Sequence, residues 1–300
     1  MTTTSEHITE TVLDAVNGTP NPRTRQIVEA LIRHTHAFAR EVRLQPEECL
    51  YAADFLKRCG DVSDASRHEF ILLADVLGLT MVVDTLAADA PDGALEPSVL
   101  GPFYRAGAPI EPNGADIARG GDADGEPAHV LGRALDPEGR PIVGAELDVW
   151  GTNVNGLYEN VDPSQPDYNL RGRFHTDADG RFEFWTVKPV SYPIPVDGPV
   201  GELLAATNRS NMRPAHLHVI ASADGYHTIV TELYTDDDEY LDRDAVFGVK
   251  GSLVAHYEWT TDVTASPRKR PYWELRRDLV LTPGTRTGIQ FTAGREEQVR

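Results

Sequence analysis

Two histidines one residue apart, His216 and His218, enter an apolar run with β-branched residues directly after Arg213-Pro214-Ala215. In a β-strand, side chains two positions apart stand on the same face. An extended run here therefore places both imidazoles side by side, close enough to share one metal ion. The chain carries its own control. His34 and His36 have the same spacing, but they lie in a stretch with helical periodicity, where residues two apart sit about 200° apart around the axis and cannot share a metal. Alone, the strand pair leaves two readings open: a metal site, or two histidines satisfied by structural hydrogen bonds.

Two tyrosines in constrained loops bear on that choice. Tyr158 follows Gly156-Leu157, and Tyr192 stands within Lys188-Pro189-Val190-Ser191-Tyr192-Pro193-Ile194-Pro195. Either one alone reads as a loop tyrosine packing its ring. If all four were to meet, two phenolates with two imidazoles would form a hard, anionic N/O donor set that suits trivalent iron better than copper(I), zinc or magnesium. A free tyrosine ionises near pH ~10, and a bound cation makes its phenolate available at neutral pH.

The elements that must position these residues change character along the chain. Residues 1–22 are polar, end in Thr19-Pro20-Asn21-Pro22, and read as a flexible arm. Apolar residues at Ile27, Val28, Leu31, Ile32, Phe38 and Val42 mark a helix over 24–43, and a second follows from Pro46 to Gly60. A third, capped by Ser63 or Asp64, runs to Leu86 with Phe70, Leu73, Val76, Leu77, Met81 and Val82 on its apolar side. Pro- and Gly-rich residues 96–104 form an ordered crossing, and 106–128 read as a polar linker or surface loop. From His129 the period becomes two. Strands at 130–135, 145–150, 173–176, 182–185, 216–221 and 228–234 are separated by Asp/Gly turns, the pattern of an antiparallel β-sandwich. The expected class is α+β: an arm (1–22), a helical N-terminal unit (23–105) and a β-sandwich catalytic domain (106–300) whose long loops build the site.

Composition narrows the partners. Three hundred residues supply a sizeable core. A net charge of −19 argues against nucleic acid or an anionic membrane. The two cysteines, Cys49 and Cys59, make no disulfide framework and fit a reducing compartment. The N-terminus shows no signal peptide and no stretch is long enough to span a bilayer, so the expected location is the cytoplasm.

The order Tyr158, Tyr192, Arg213, His216, His218 resembles the intradiol ring-cleaving dioxygenases. The resemblance extends to Gly151-Thr152-Asn153, Arg171-Gly172-Arg173-Phe174 and Asp197-Gly198-Pro199, and covers roughly residues 25–290. It implies an Fe(III) enzyme that cleaves an aromatic diol with O2. Tyr158 and His216 would be equatorial ligands, with Tyr192 and His218 axial. Tyr192 would leave the iron when substrate binds and take up a substrate proton, and Arg213 would offset negative charge on the reacting ring. The family also implies a homodimer through the N-terminal helices, with lipid held there in some members. One departure concerns Glu232, which stands where catechol-cleaving members often carry a glutamine.

Within the family, the segments Leu77–Asp84, Val99–Phe103, Tyr192–Gly201 and Asp244–Lys250 are similar to those of the hydroxyquinol 1,2-dioxygenases. On that resemblance the substrate pocket comprises Met81, Asp84, Val99, Leu100, Gly101, Pro102, Phe103, Ile194, Pro195 and Val246. Asp84 is informative because a carboxylate among apolar residues is costly unless paired, and a third ring hydroxyl would pair it. It could equally occupy an exposed polar edge of its helix. Two readings compete with hydroxyquinol cleavage: a catechol or chlorocatechol 1,2-dioxygenase, and a non-enzymatic β-sandwich binding module whose tyrosines and histidines only pack.

Overall fold

The computed structural model describes residues 4–64, 67–87 and 93–286. They divide into two compact units, one running to Arg58 and the other starting at Cys59.

The first unit contains α1 (Ser5–Val16), α2 (Pro22–Glu41) and most of α3 (Pro46–Asp61). Helix α1 lies within the stretch that the sequence reads as a flexible arm. The Thr4 side chain caps it by accepting the His7 N–H at 3.2 Å. Thr9, Val12, Leu13 and Val16 recur at helical spacing as its less exposed side, which packs on α2. That stripe contains a threonine and is short, so polar composition masks it. Helix α2 begins where expected because Asn21 Oδ1 accepts the N–H groups of Arg23 and Thr24, with Pro22 at the first helical position. Ile27, Leu31 and Phe38 are exposed on the single chain.

The second unit opens with α4 (Glu69–Val76) and α5 (Leu79–Ala87), where the periodicity predicts one continuous helix. The break falls at Gly78, whose φ of 70° is the left-handed conformation that ends helices. Ser63, expected as a cap, serves at a distance: its Oγ accepts the Glu69 N–H at 3.0 Å.

Strands follow from Pro127: β1 (Pro127–Leu135), β2 (Glu146–Trp150), β3 (Arg171–His175), β4 (Arg181–Val187), β5 (Tyr192–Pro193), β6 (Met212–Arg213), β7 (His216–Ser222), β8 (Ile229–Thr235), β9 (Val254–Ala255), β10 (Tyr257–Thr260), β11 (Tyr272–Arg276) and β12 (Leu279–Val280). Helix α6 (Pro199–Ala206) lies between β5 and β6 in sequence. One sheet runs β10-β11-β1-β12, with β4 also on β1; the other runs β3-β2-β7-β8-β9. Val130, Phe182, Phe184 and Leu275 of the first sheet share a buried core with Leu147, Phe174, Leu217, Val219 and Leu233 of the second. The sandwich is thus as expected, but its sheets are mixed: β1 pairs in parallel with β11 and β12, as β8 does with β9. The short C-terminal strands join edges that earlier strands left open, and turn spacing along the sequence carries no signal of that. The predicted linker 106–128 is also more tightly held than a surface loop. Glu111 N–H donates to Arg173 O and Ile117 N–H to Trp185 O, with the Ile117 side chain fully buried.

Candidate metal centre

Strand β7 separates its two jobs by alternation. Leu217, Val219 and Ala221 enter the core between the sheets. His216 and His218 stand on the opposite face with Ile220, which belongs to a second buried cluster containing Trp150, Tyr158 and Tyr192. Pairing registers place Trp150 and Glu232 on either side of His218. The Trp150 ring stacks on the imidazole at 4.5 Å between centroids and 4° between planes.

The tyrosines reach this face from two loops, each fixed locally. Behind Tyr158, buried Glu159 pairs with buried Arg171, which also donates to Phe103 O at 2.9 Å and Asn160 Oδ1 at 3.1 Å. Gly156 has φ 73°, and a Cβ there would lie 2.5 Å from Tyr192 Cβ, so a side chain at 156 would drive the two loops apart. Tyr192 is held in the β5–β6 ladder opposite Arg213.

Four donor atoms meet at the centre. Tyr158 Oη is 2.8 Å from Tyr192 Oη and 2.9 Å from His218 Nε2. His216 Nε2 is 3.1 Å from His218 Nε2 and 3.4 Å from Tyr192 Oη. All four side chains are buried. Burial pushes the Tyr158 phenol well above its ordinary range, reinforced by Tyr192, and pushes Tyr192 up to about 12. Burial also pushes both imidazoles down, His218 furthest, which leaves them neutral, the form that ligates metals. His216 Nδ1 lies 2.7 Å from Pro214 O; a proton held there leaves Nε2 bare toward the centre. Two neutral imidazoles and two phenols that need a nearby cation to ionise fit a hard, highly charged metal ion.

Arg213 is buried beside this set, with Nη1 3.2 Å from His216 Nε2. The sequence does not foretell how fully it is engaged. It donates to Glu232 at 2.7 and 2.9 Å, to Asp244 at 3.1 and 3.2 Å, and to Tyr234 Oη at 3.1 Å. Two carboxylates therefore fix the guanidinium in place. Glu232 is fully buried and accepts Ser98 Oγ at 2.8 Å as well as Tyr234 Oη. Burial raises its pKa, but the Arg213 charge outweighs that effect and holds the carboxyl below the usual range. With His216 and His218 it forms a trio whose possible ligand atoms lie within 4.8 Å of one another. The sequence signal for Glu232 was weak: only the turn between β7 and β8 decides which β8 residue faces His218.

Of the expected pocket residues, Val99, Phe103, Ile194 and Val246 are buried in the same cluster as the two tyrosines, and Met81 and Leu100 pack against it. A Cβ on Gly101 (φ 75°) would come 3.4 Å from His218 Cε1, so the absence of a side chain lets this segment approach the imidazole. Pro102 and Pro195 are half-buried neighbours in these segments and lie outside the cluster. Asp84 is half-buried rather than exposed. Among the described residues its Oδ2 has no hydrogen-bond partner, and burial pushes its pKa up to about 6. Asp75 is a carboxylate that sequence reasoning missed. It is buried on the face of α4 shared with Leu72 and Val76, accepts Thr80 Oγ1 at 2.6 Å, and among the described residues leaves Oδ2 without a partner. Because its period matches the apolar stripe, it could have been flagged as Asp84 was.

A two-sheet scaffold carrying a buried tyrosine–histidine centre defines the class, and similarity to known proteins defines the family. Residues 99–283 match the Dioxygenase family and residues 21–94 the Catechol dioxygenase N terminus. The chain is 44% identical to a 6-chlorohydroxyquinol 1,2-dioxygenase of Cupriavidus pinatubonensis, over 92% of this chain and 97% of that protein. It is 42% identical to a hydroxyquinol 1,2-dioxygenase of a Rhizobium species, over 92% and 95%. Among solved structures, a hydroxyquinol 1,2-dioxygenase of Pseudomonas putida superposes with a TM-score of 0.82 at 45% identity, covering 93% of this chain and 99% of that one. A catechol 1,2-dioxygenase of Acinetobacter radioresistens gives 0.83 at 29% identity, over 99% and 97%. The chain belongs to the intradiol ring-cleavage dioxygenases.

Proposed function

We propose that this chain opens the ring of hydroxyquinol (benzene-1,2,4-triol) between its two adjacent hydroxyl-bearing carbons. Both atoms of O2 enter the product, 3-hydroxy-cis,cis-muconate, the tautomer of maleylacetate. The carrying observation is the convergence of two phenol oxygens and two imidazole Nε2 atoms on one buried point in a chain of this family. Tyr158, Tyr192, His216 and His218 would hold Fe(III) through their phenol oxygens and imidazole Nε2 atoms. When bound, the ferric ion acts as a Lewis acid that activates the diol toward O2.

The protein's own groups do the rest. As a phenolate, Tyr192 would take the proton of one diol hydroxyl at Oη and hold it firmly, because burial pushes its phenol up to about 12. Arg213, anchored on Glu232 and Asp244, presents Nη1 beside His216 and offsets charge on the ring. Val99, Phe103, Ile194 and Val246 grip the ring, and Gly101 leaves room for it beside His218. Asp84 pairs with the third hydroxyl, which supplies its Oδ2 with a hydrogen-bond donor. The exposed residues Ile27, Leu31 and Phe38 fit a homodimer through the N-terminal helices, with lipid between them. No described helix is long and apolar enough to cross a membrane, and we place the enzyme in the cytoplasm.

A second reading, catechol cleavage, draws support from 39% identity to a catechol 1,2-dioxygenase of Candida albicans over 95% of this chain. Oxygen uptake with hydroxyquinol, catechol and chlorocatechols separates the two. The expected order puts hydroxyquinol first, and a strong preference for catechol overturns the substrate assignment. The binding-module reading predicts no oxygen uptake with any diol and a protein that stays colourless when ferric iron is added.

A further inference from the structure

Two residues with left-handed backbone meet beside the pocket. Gly78, between α4 and α5, has φ 70°, and Phe247 has φ 61°. A Cβ on Gly78 would lie 3.5 Å from Phe247 Cδ2, so the ring rests against the α4–α5 junction. This conformation is open to glycine but strained for a bulky side chain, and it persists only where the surroundings enforce it. Asp244 enforces it from one side: its carboxylate accepts the N–H groups of Val246 at 3.3 Å and Gly248 at 2.9 Å while also holding Arg213. Arg209 enforces it from the other, with its guanidinium over the Phe247 ring, 4.8 Å from the centroid.

The aim of Arg209 is set locally. Helix α6 is closed by left-handed Asn208 (φ 51°), and the N–H groups of Asn208 and Arg209 fold back to Ala205 O and Leu204 O, a motif that fixes how the chain leaves a helix. From there Nη1 donates to Val76 O, at the end of α4, at 2.6 Å, and Nη2 donates to Ala245 O at 2.8 Å. One half-buried side chain thus ties the end of α4 to the turn 244–248. Both ends of this tie border the pocket. Met81 packs against the buried cluster that contains Val76, Ala245 and Val246, and Asp84 lies one turn further along α5. Burial raises the Asp84 pKa and the charge of Lys250 opposes that rise, so α5 neighbours the chain just past the turn.

From these contacts we infer that Arg209 is a positioning residue for substrate choice: it fixes the gap between Val246 and the Met81–Asp84 side of α5, and so how closely Asp84 meets a third ring hydroxyl. The inference rests on the pocket proposed above. The hydrogen bonds of Arg209 go to backbone carbonyls rather than to the metal donors, so its loss should appear in KM and selectivity, not in kcat. Its planar fork spans two carbonyls at once, a geometry that the single ammonium of lysine reproduces only in part.

The test uses the iron-loaded, full-length protein, with steady-state oxygen uptake on hydroxyquinol and catechol, and the tyrosinate-to-iron band as the sign of an intact centre. Arg209→Ala is expected to raise KM for hydroxyquinol about tenfold and to lower the hydroxyquinol-over-catechol ratio of kcat/KM by about the same factor, with kcat and the band unchanged. Arg209→Lys should recover part of that ratio. Placed on Asp84→Leu, Arg209→Ala should lower the ratio no further, because both changes act through one contact. Equal losses on the two diols overturn the inference by reducing Arg209 to general support of the fold. A fall in kcat with a shifted band overturns it by moving the effect to Arg213 and the metal. A full further loss of the ratio on Asp84→Leu overturns it as well. If Arg209→Ala does not fold, Phe247→Gly carries the test: it relieves the strained backbone and removes the ring but leaves both carbonyl bonds, and an unchanged ratio refutes the role. An Asp84→Leu protein with the ratio of the parent defeats the pocket reading instead, and a parent that consumes no oxygen with either diol defeats the enzymatic one.

Discussion

Each sheet of the sandwich holds a tryptophan, a histidine and a glutamate in one row across three strands. In one sheet the row is Trp150, His218 and Glu232; in the other it is Trp185, His129 and Glu274. The local geometry is nearly the same. His129 stacks on Trp185 at 4.3 Å and 2°, as His218 does on Trp150, and each Nδ1 lies near its glutamate, at 3.9 and 3.3 Å respectively, with no hydrogen bond among the described residues. Burial pushes both imidazoles down. A stacked, carboxylate-backed strand histidine is therefore not a metal site by itself. The rows differ at Nε2. In His129 that nitrogen lies 3.0 Å from the half-exposed Glu183, an ordinary sheet-surface hydrogen bond. In His218 it meets a second imidazole two residues away and a phenol from a distant loop. The strand supplies a platform, and the loops turn one of the two platforms into a centre.

Substitutions at the two rows test that difference. The largest contrast is expected between Tyr192→Phe and His129→Phe. Removing the phenol proposed to accept the proton should lower kcat by about 10²- to 10⁴-fold and alter the visible band, while the His129 change leaves both as they are; steady-state oxygen uptake and absorbance measure this. Equal losses in the two variants would erase the distinction drawn here.

Next is the polar pair behind each row. Arg171→Ala removes the buried partner of Glu159, leaves it only the partly exposed Arg105, and should cost about 1.5–3 kcal/mol in urea unfolding. Glu183→Ala, which breaks a half-exposed pair with His129, should cost about 0–1 kcal/mol. A smaller contrast concerns specificity. Asp84→Leu should reduce the ratio of kcat/KM for hydroxyquinol over catechol by about tenfold, the worth of one hydrogen bond to a carboxylate. An unchanged ratio would remove Asp84 from substrate recognition.

The smallest effect is in pH dependence. His129 has a folded pKa below its unfolded value, so the unfolded chain binds the proton more readily. Stability then rises with pH, and falls as pH drops through the unfolded value of about 6.5, levelling off below the folded pKa. Subtracting the stability curve of His129→Phe from that of the parent should isolate a shallow slope of this sign. A slope of opposite sign would mean that Glu183 and Glu274 stabilise the charged ring more than burial opposes it.

Much of this was legible in the chain. The His-x-His pair, the two loop tyrosines and Arg213 carry their chemistry in residue type and spacing, because alternation along a strand is a local property. The change of period at His129 marked the start of the sheets for the same reason, and the Asp/Gly turns marked where strands end. Local signals also decided details that composition masked: Thr4 and the Val12–Val16 stripe make α1, and Gly78 divides α4 from α5.

Only the tertiary structure settled what depends on register and long-range closure. Glu232 faces His218 because the β7–β8 turn sets that register, and a one-residue slip would send it to the other face. The parallel partners of β1 and β8 come from chain far along the sequence. Nothing in the sequence around Arg213 shows that Asp244, 31 residues away, and Glu232 hold it on two sides. Asp75 is buried because of what packs over α4, which a helical stripe alone does not specify. Residue types and local periods determined the donor atoms of the centre; the packing of distant segments decided which charges surround them.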